Sequence, residues 1–442
     1  MHIGLIIFLL ALTIRILNLL FLDIDSNEYL YEDQKMYWDW ALKGAYLPWS
    51  ILSDNILSER MPGAFLFFEF LQWVTAKNLF LILFFQAMLD AATCFILYKC
   101  ACLVNKKYSI LTGLFAAFSP LLIIISSQIL SDTIFLFVFS CALYSLLKFS
   151  KKESPLYYLV FSGLMLGGAT FIRAATFPLI FLCLPIIFLI IKSKKYSSKK
   201  FLFSFLLFFI ASIIPISDRL FTNILGNETF SLTSQSGSHA AYWMVPGVLS
   251  LNNNYNRQEA VAYINERIAN KGGLEGTPYK DSKKLFSVSL EILSEQDFTD
   301  IFYAWGRASF LNIITPAILI DGRVRNLKHF SFAEEGKIYQ WLVKNTLTQD
   351  SKTYLVILFL SSIIGAFSLF SIFIGFYYLI KSNYNLAILS ICIILYFSTI
   401  TGPTLSPKYC IPFLPIIFYL QSIFSFKLLN LSKNLKLNKL FS

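Results

Sequence analysis

Residues Leu79–Val104 read LFLILFFQAMLDAATCFILYKCACLV, with Asp90 and Lys99 as the only full charges. As an α-helix this run is long enough to cross a hydrocarbon core about 30 Å thick. Similar apolar runs lie to either side, near residues 3–22, 109–127, 132–149, 155–172, 175–191, 201–222, 354–380, 384–401 and 409–427, giving ten spans in all. The composition agrees: 56% of the 442 residues are hydrophobic, 14% are charged, and mean hydropathy is +0.63. A soluble fold with buried parallel strands is excluded, because such strands need only about 4–8 apolar residues each. The expected fold class is an all-α polytopic membrane protein of about ten transmembrane helices, with outer-face juxtamembrane helices and a soluble outer module. The first run, Ile3 to Leu22, lacks a basic leader and a small-residue cleavage site, so it is expected to be a retained helix.

Lysines orient the bundle. With the N-terminus inside, the inner connections hold Lys106 and Lys107; Lys148, Lys151 and Lys152; Lys192, Lys194, Lys195, Lys199 and Lys200; Lys381; and the tail lysines Lys427, Lys433, Lys436 and Lys439. That asymmetry is the positive-inside bias, and it accounts for much of the net charge of +11 without any nucleic-acid partner. The run Pro62 to Thr75 is too short to span, and counting it would put Lys106 and Lys107 outside, so it is expected as an outer interfacial or re-entrant helix. The chain then divides into residues 1–222, a transmembrane region whose first outer loop is 23–78; residues 223–353, an outer module; and residues 354–442, the last helices with a basic inner tail. The module is charge-balanced, with 13 basic and 13 acidic residues between Asn223 and Lys352. Ser234–Ser238 and Gly272–Pro278 have loop chemistry, while Arg257–Ala269 and Ser282–Leu293 have helical patterning. All seven cysteines fall in or beside apolar segments, so neither a disulfide framework nor a zinc site is indicated.

Acid concentrates in the first outer loop, where eight carboxylates face three cations over residues 23–62, a net of −5. Within it, Glu32-Asp33-Gln34-Lys35-Met36-Tyr37-Trp38-Asp39-Trp40-Ala41 puts Asp33, Tyr37, Trp40 and Ala41 on one helical face. Arg60, Arg173 and Lys408 all fall at outer helix ends, as do Asp33 and Asp132. Cations near bilayer depth need a partner or water, so a convergent set points to an anionic headgroup. Arg15 and Asn18 lie inside the first span and are expected to hydrogen-bond neighbouring helices. His2, His239 and His329 share no metal-ligand spacing.

The placing of this segment after a first helix containing Arg15 resembles the GT-C superfamily of membrane glycosyltransferases, in particular its aminoarabinose-transferase and protein-mannosyltransferase-like branch. The first outer loop of that branch carries Asp-Glu-x-x-Tyr-x-x-x-Ala, matched here by Asp33, Gln34, Tyr37 and Ala41, with an amide in place of the second acid. Glu59-Arg60-Met61-Pro62-Gly63 resembles the branch's basic-residue-then-proline element. Ser131-Asp132 followed by Phe135 resembles its small-residue-then-acid element. Arg173 and Pro407-Lys408-Tyr409-Cys410-Ile411-Pro412 match further recurring positions. The matches run in order from residue 15 to residue 412, while residues 223–353 contribute none.

The resemblance implies an inverting glycosyltransferase moving a sugar from a polyprenyl-phosphate donor to an acceptor on the non-cytoplasmic face of a bacterial inner membrane. The abundant Lys, Ile, Phe and Asn fit an AT-rich bacterial genome. By analogy the catalytic base is Asp33, or Glu32 beside it. Arg60, Arg173 and Lys408 hold the donor phosphate, and Tyr37, Asp132 and Tyr409 meet substrate; Tyr37, Trp38 and Trp40 either wall the sugar or anchor the segment at the membrane interface, the two readings standing equal. The acceptor is a glycolipid such as lipid A, a cell-wall or other glycan, or a protein; Ser234–His239 and Tyr242-Trp243 are candidate contacts by their polar, flexible and aromatic character alone, and a plain surface loop is the preferred reading. No closed metal-ligand set is visible, although the acidic loop leaves room for the divalent metal that some members of the superfamily use. The rival readings are a lipid-linked-sugar flippase, which predicts functional charges near the bilayer midplane, and an O-antigen ligase or polymerase-type enzyme.

Overall fold

The computed structural model describes residues 2–24, 29–42, 58–252, 255–330 and 338–440, and among these every regular element is a helix. Asp25, Glu28, Lys43 and Asp54 of the acidic loop lie outside the described residues, as do the side chains of Lys433, Lys436 and Lys439. Eight described helices are long and apolar enough to cross a bilayer: His2–Leu20 (α1), Leu79–Val104, Ser131–Phe149, Ala174–Ser193, Ser198–Asn227, Gln349–Ser382, Tyr384–Thr401 and Pro407–Asn430. A ninth crossing is the pair Lys106–Ala117 and Pro120–Ser126, bent by 50°. Pro120 starts the second half and has no N–H to continue the first, while the Ser119 hydroxyl caps Leu122 N.

That break exposes carbonyls at the end of the first half, and inside a membrane they need donors. Arg15 supplies them. Fully buried, its guanidinium donates to Ala117 O at 2.6 Å and Ala116 O at 3.3 Å, and its Nε meets Asp90 Oδ2 at 2.5 Å. The charge inside the first span is therefore matched by a carboxylate and used to close a broken helix. Asn18, one turn further, donates to the Ser127 hydroxyl at 3.3 Å. Both residues thus make the interhelical bonds expected of them.

Tyr157–Ile172 has 16 residues, about 24 Å of rise, and is short for a span. It nevertheless packs between Ser131–Phe149 and Ser198–Ile213. Gly163 and Gly167 make that contact close: a Cβ would lie 2.7 Å from Phe208 O at the first and 2.2 Å from Ser212 O at the second. Its two ends lie at opposite poles of the bundle. One pole is basic, where Lys151 Nζ donates to Leu103 O at 2.6 Å and Lys194 Nζ to Lys151 O at 2.6 Å. At the other, Arg173, just past Ile172, pairs with Asp132 at the start of Ser131–Phe149. Counted as the tenth crossing, this helix keeps every lysine-rich connection at one pole.

Two short helices ride on the second pole. Asp33–Leu42 (α2) packs on Gly63–Val74 (α3), with Tyr37 against Phe65 and Phe68 at ring separations of 4.9 and 5.9 Å. The run expected to stay outside is thus a 12-residue helix. The later segment at this pole has a core of its own, in which Ala241, Val245 and Leu249 pack against Ile264, Ile268, Leu285, Val288 and Ile292. Arg257–Asn270 starts on a capping box between Asn256 and Glu259. Ser234–Ser238, expected as loop, instead opens the helix Gln235–His239, which runs on through a π-turn to Val245–Asn252. Gly237 explains the difference: it lies so close to Ser282 O that a Cβ would be 2.1 Å away, so tertiary contact overrides turn-forming composition. Phe298–Ile314 then returns to the bundle, where Asn312 donates to Thr404 O at 2.9 Å and accepts from Ser406 N at 2.8 Å.

Candidate active site

Four chain segments bring charged side chains together at the second pole. Asp33 is the first residue of α2, where a carboxylate suits the helix dipole. It lies 3.6 Å from Arg60, just before α3. The pair is loose and open to solvent, with 49% of the Asp33 side chain and 31% of Arg60 exposed. Asp132, in the first turn of Ser131–Phe149, is by contrast only 3% exposed and lies 2.8 Å from Arg173 Nη2. Arg173 is fixed on two more sides, donating through Nε to the Ser131 hydroxyl at 3.0 Å and covering the Phe135 ring at 5.3 Å. The buried Asp132 Oδ1 has no well-directed hydrogen bond, so its contact with Arg173 is an ion pair rather than a fork. Tyr409 lies within the electrostatic reach of Arg60, Arg173, Asp33 and Asp132 together. It belongs to the turn Pro407–Phe413, which the Ser406 side chain caps at Lys408 N.

Glu32 is a neighbour of Asp33 with a different environment. Its carboxylate takes both Nη groups of Arg325, at 2.6 and 3.1 Å, and its backbone has a positive φ of 48°. The Arg325 bonds hold the Glu32 carboxyl below its usual range against the effect of partial burial, and the charges of Arg325 and Lys408 add to that lowering. Arg325 in turn lies over Tyr31 at 4.9 Å.

The first outer helix corrects one part of the sequence reading. Its buried face is Gln34, Tyr37, Trp40 and Ala41, and Asp33 is not on it. Gln34, at the position where the resemblance expects an acid, accepts from Ile129 N at 3.1 Å and so holds the turn leading into Ser131-Asp132. Tyr37, expected to meet substrate, is 6% exposed, and Trp40 is also buried, so these two rings form the seam of α2 on α3, while Trp38 is half-buried. Three apolar or aromatic positions at helical spacing pack more favourably than they solvate.

Two residues from the later segment enter the site, the first not expected there and the second expected only as the end of the candidate acceptor stretch Ser234–His239. The first is Arg325. The second is His239, whose Nε2 lies 3.0 Å from Thr401 O. Burial pushes its imidazole below the usual range; the Thr401 carbonyl opposes this and the charge of Arg60 adds to it. His239 is therefore neutral at neutral pH, with the proton on Nε2 to donate to Thr401 O. Among the described residues no three His, Cys, Asp or Glu side chains converge as a metal site requires, and the carboxylates of the group face arginines. The described residues do not by themselves fit a divalent ion, and no chemical step is assigned to one.

Comparison with known proteins bears on what this arrangement is. Residues 59–217 match the family described as dolichyl-phosphate-mannose-protein mannosyltransferase. The archaeal oligosaccharyltransferase AglB from Archaeoglobus fulgidus, solved with an inhibitory peptide and a dolichol-phosphate, aligns over 98% of this chain with a TM-score of 0.54 and 14% identity. This chain spans about half of that protein, 51% of its length. ArnT from Cupriavidus metallidurans, in the apo state, aligns over 90% of this chain and 72% of its own at a TM-score of 0.35 and 10% identity. No curated protein matches by sequence. With an alignment over 98% of the chain and a mannosyltransferase-family match over residues 59–217, the chain has the fold of the GT-C superfamily of membrane glycosyltransferases.

Proposed function

We propose that the chain is an inverting glycosyltransferase that takes a sugar from a polyprenyl-phosphate donor and passes it to an acceptor at the non-cytoplasmic face of a bacterial inner membrane. The observation that carries this reading is the opposite-pole arrangement: Asp33–Arg60, Asp132–Arg173 and Tyr409 gather at one end, and the lysine-rich connections at the other. A phosphate headgroup stays at the membrane surface while its chain remains in the bilayer, so a cationic group at helix ends is where it would be met. The dolichol-phosphate in the solved oligosaccharyltransferase supports the same donor class.

The chemistry follows from what each group is free to do. A sugar on phosphate already has a leaving group, so the reaction needs a base for the acceptor hydroxyl and cations for the charge developing on phosphate. Asp33 is the proposed base, being half exposed and loosely held, whereas Glu32 is committed to Arg325. Arg60 and Arg173 keep part of their guanidinium surface open and are proposed to receive the phosphate, with Lys408 and Tyr409 from the last turn beside them. Asp132, buried under Arg173, is a positioning residue rather than a substrate contact. A base on one side of the anomeric carbon and phosphate on the other gives a single displacement with inversion.

The test compares lipid-linked sugars and surface glycans by mass spectrometry in cells with and without the native chain. Loss of one glycan with accumulation of one polyprenyl-phosphate sugar on the outer leaflet is expected. Accumulation confined to the inner leaflet would instead identify a flippase.

A further inference from the structure

Beside the first turn of α2 lies a cavity of about 270 Å³. Its walls come from Tyr29, Tyr31, Gln34, Gln128, Arg323 and Asn326, drawn from three separate stretches of chain. These walls are built rather than incidental. The Tyr29 hydroxyl donates to Ser127 O, and the Tyr31 hydroxyl to Ile320 O at 3.1 Å. Gln128 Nε2 donates to Ile320 O at 2.8 Å, and Gln34 accepts from Ile129 N through its oxygen, which leaves its NH₂ for the cavity.

The charges on the lining nearly cancel. Arg323 is forked onto the buried carboxylate of Asp321 at 2.9 and 2.5 Å, and also reaches Asn18 at 2.8 Å. Asp23 alone adds an exposed, unmatched charge among the lining residues. A second phosphate or another anion would therefore find no spare cation here, while amides, phenols and a carboxylate offer donors and acceptors to hydroxyl groups. At about 30 Å³ per water the cavity holds roughly nine waters, the scale of a single sugar ring. Leu22 and Ile124 add apolar wall beside these polar groups, a mixture that suits the C–H and hydroxyl edges of one small polar ring.

The position is equally specific. Gln34 lines the cavity and its chain neighbour Asp33 reaches Arg60, so the cavity and the Asp33–Arg60 pair are both built on the first turn of α2. We infer that this cavity holds one uncharged sugar unit of the acceptor and presents its hydroxyl toward Asp33, so that the acceptor is a glycan or glycolipid. The inference rests on the transferase reading above.

Gly322 provides a clean perturbation. It lines the cavity, and a Cβ there meets nothing nearer than Tyr31 Cε1 at 3.7 Å, so Gly322→Leu fills space without breaking a bond. Asn326→Leu, at an exposed lining position, is the second variant and decides the matter if the first fails to fold. The full chain, in a sugar-free detergent, is examined by saturation-transfer NMR with methyl glycosides of glucose, galactose, mannose and N-acetylglucosamine, and with Ser- and Thr-containing tripeptides. At least one glycoside is expected to give a signal that falls by about tenfold or more in a cavity variant and persists in Asp33→Asn. No glycoside signal, or one unchanged in the folded variants, overturns the inference, and a cavity-dependent signal from the tripeptides alone overturns it in favour of a protein acceptor. Cell glycans separate the two levels of the account. If cavity variants keep the native glycan and Asp33→Asn loses it, the cavity assignment fails and the transferase stands; if all keep it, the transferase fails.

Discussion

Two carboxylate–arginine pairs at one pole differ in a way that assigns them different work. Asp132 is buried under Arg173, so Asp132→Ala strands a guanidinium held otherwise, among the described residues, by Ser131 and the Phe135 ring. A loss of about 1–3 kcal/mol is expected, read as a lowered melting temperature in detergent, together with loss of transfer. An unchanged melting temperature would show that the pair is not structural. His239 makes a prediction about pH. Its folded pKa is depressed, so the unfolded or undocked state binds the proton more readily, and its contribution to stability is complete above the ordinary histidine value near 6.5 and lost as pH falls from there through the folded value. Hydrogen exchange in residues 399–406 should therefore quicken between about pH 7 and 5 in the native chain and be pH-flat, after correction for intrinsic exchange, in His239→Gln. Equal pH dependence in both would remove His239 as the cause. Asp33, Arg60, Asp132 and Arg173 were readable as a group because each sits beside an apolar run whose polarity the lysines orient, while Tyr409 came only with the family resemblance of Pro407–Pro412. The contacts of Arg325 with Glu32 and of His239 with Thr401 were not readable, since the partners lie 293 and 162 positions apart and no local pattern joins them. Tyr37 was misplaced for a finer reason: a one-residue shift of helical face exchanges Asp33 for Gln34.

Among the elements, the broken helix Lys106–Ala117 and Pro120–Ser126 depends most on a single side chain. Arg15→Met leaves the Asp90 carboxylate and the Ala116 and Ala117 carbonyls without their donor inside the membrane. A loss of about 3–5 kcal/mol is expected for the single change, and Arg15→Met with Asp90→Leu should recover part of it, because no charge is then left unpaired. Thermal unfolding of both in detergent checks this, and a double variant no more stable than the single would show that the carbonyl contacts, not the ion pair, dominate. The ten apolar runs were legible because a bilayer demands apolar length. The kink was signalled only by Ser119-Pro120, and nothing in the periodicity of Tyr157–Ile172 announced that Gly163 and Gly167 bring it so close to Phe208 and Ser212. The helix through Ser234–Ser238 was hidden by turn-forming residues that Gly237 puts to use in packing.

At the scale of the whole molecule, the account is a bundle with two unlike ends. If the basic end faces the cytoplasm, a cysteine replacing the exposed Lys283 should react with a membrane-impermeant maleimide in intact cells, and one replacing the exposed Lys199 only after permeabilisation. The reverse pattern would put the site on the cytoplasmic side and remove the lipid-phosphate donor from the argument. The most direct test of the central claim is Asp33→Asn, compared with the native chain and the null in cells with equal membrane levels of both proteins. Loss of the same glycan as in the null, with the polyprenyl-phosphate sugar accumulating, is the predicted result. Native glycan levels in Asp33→Asn would contradict it, leaving Asp33 a helix-end acid and the pole without its base.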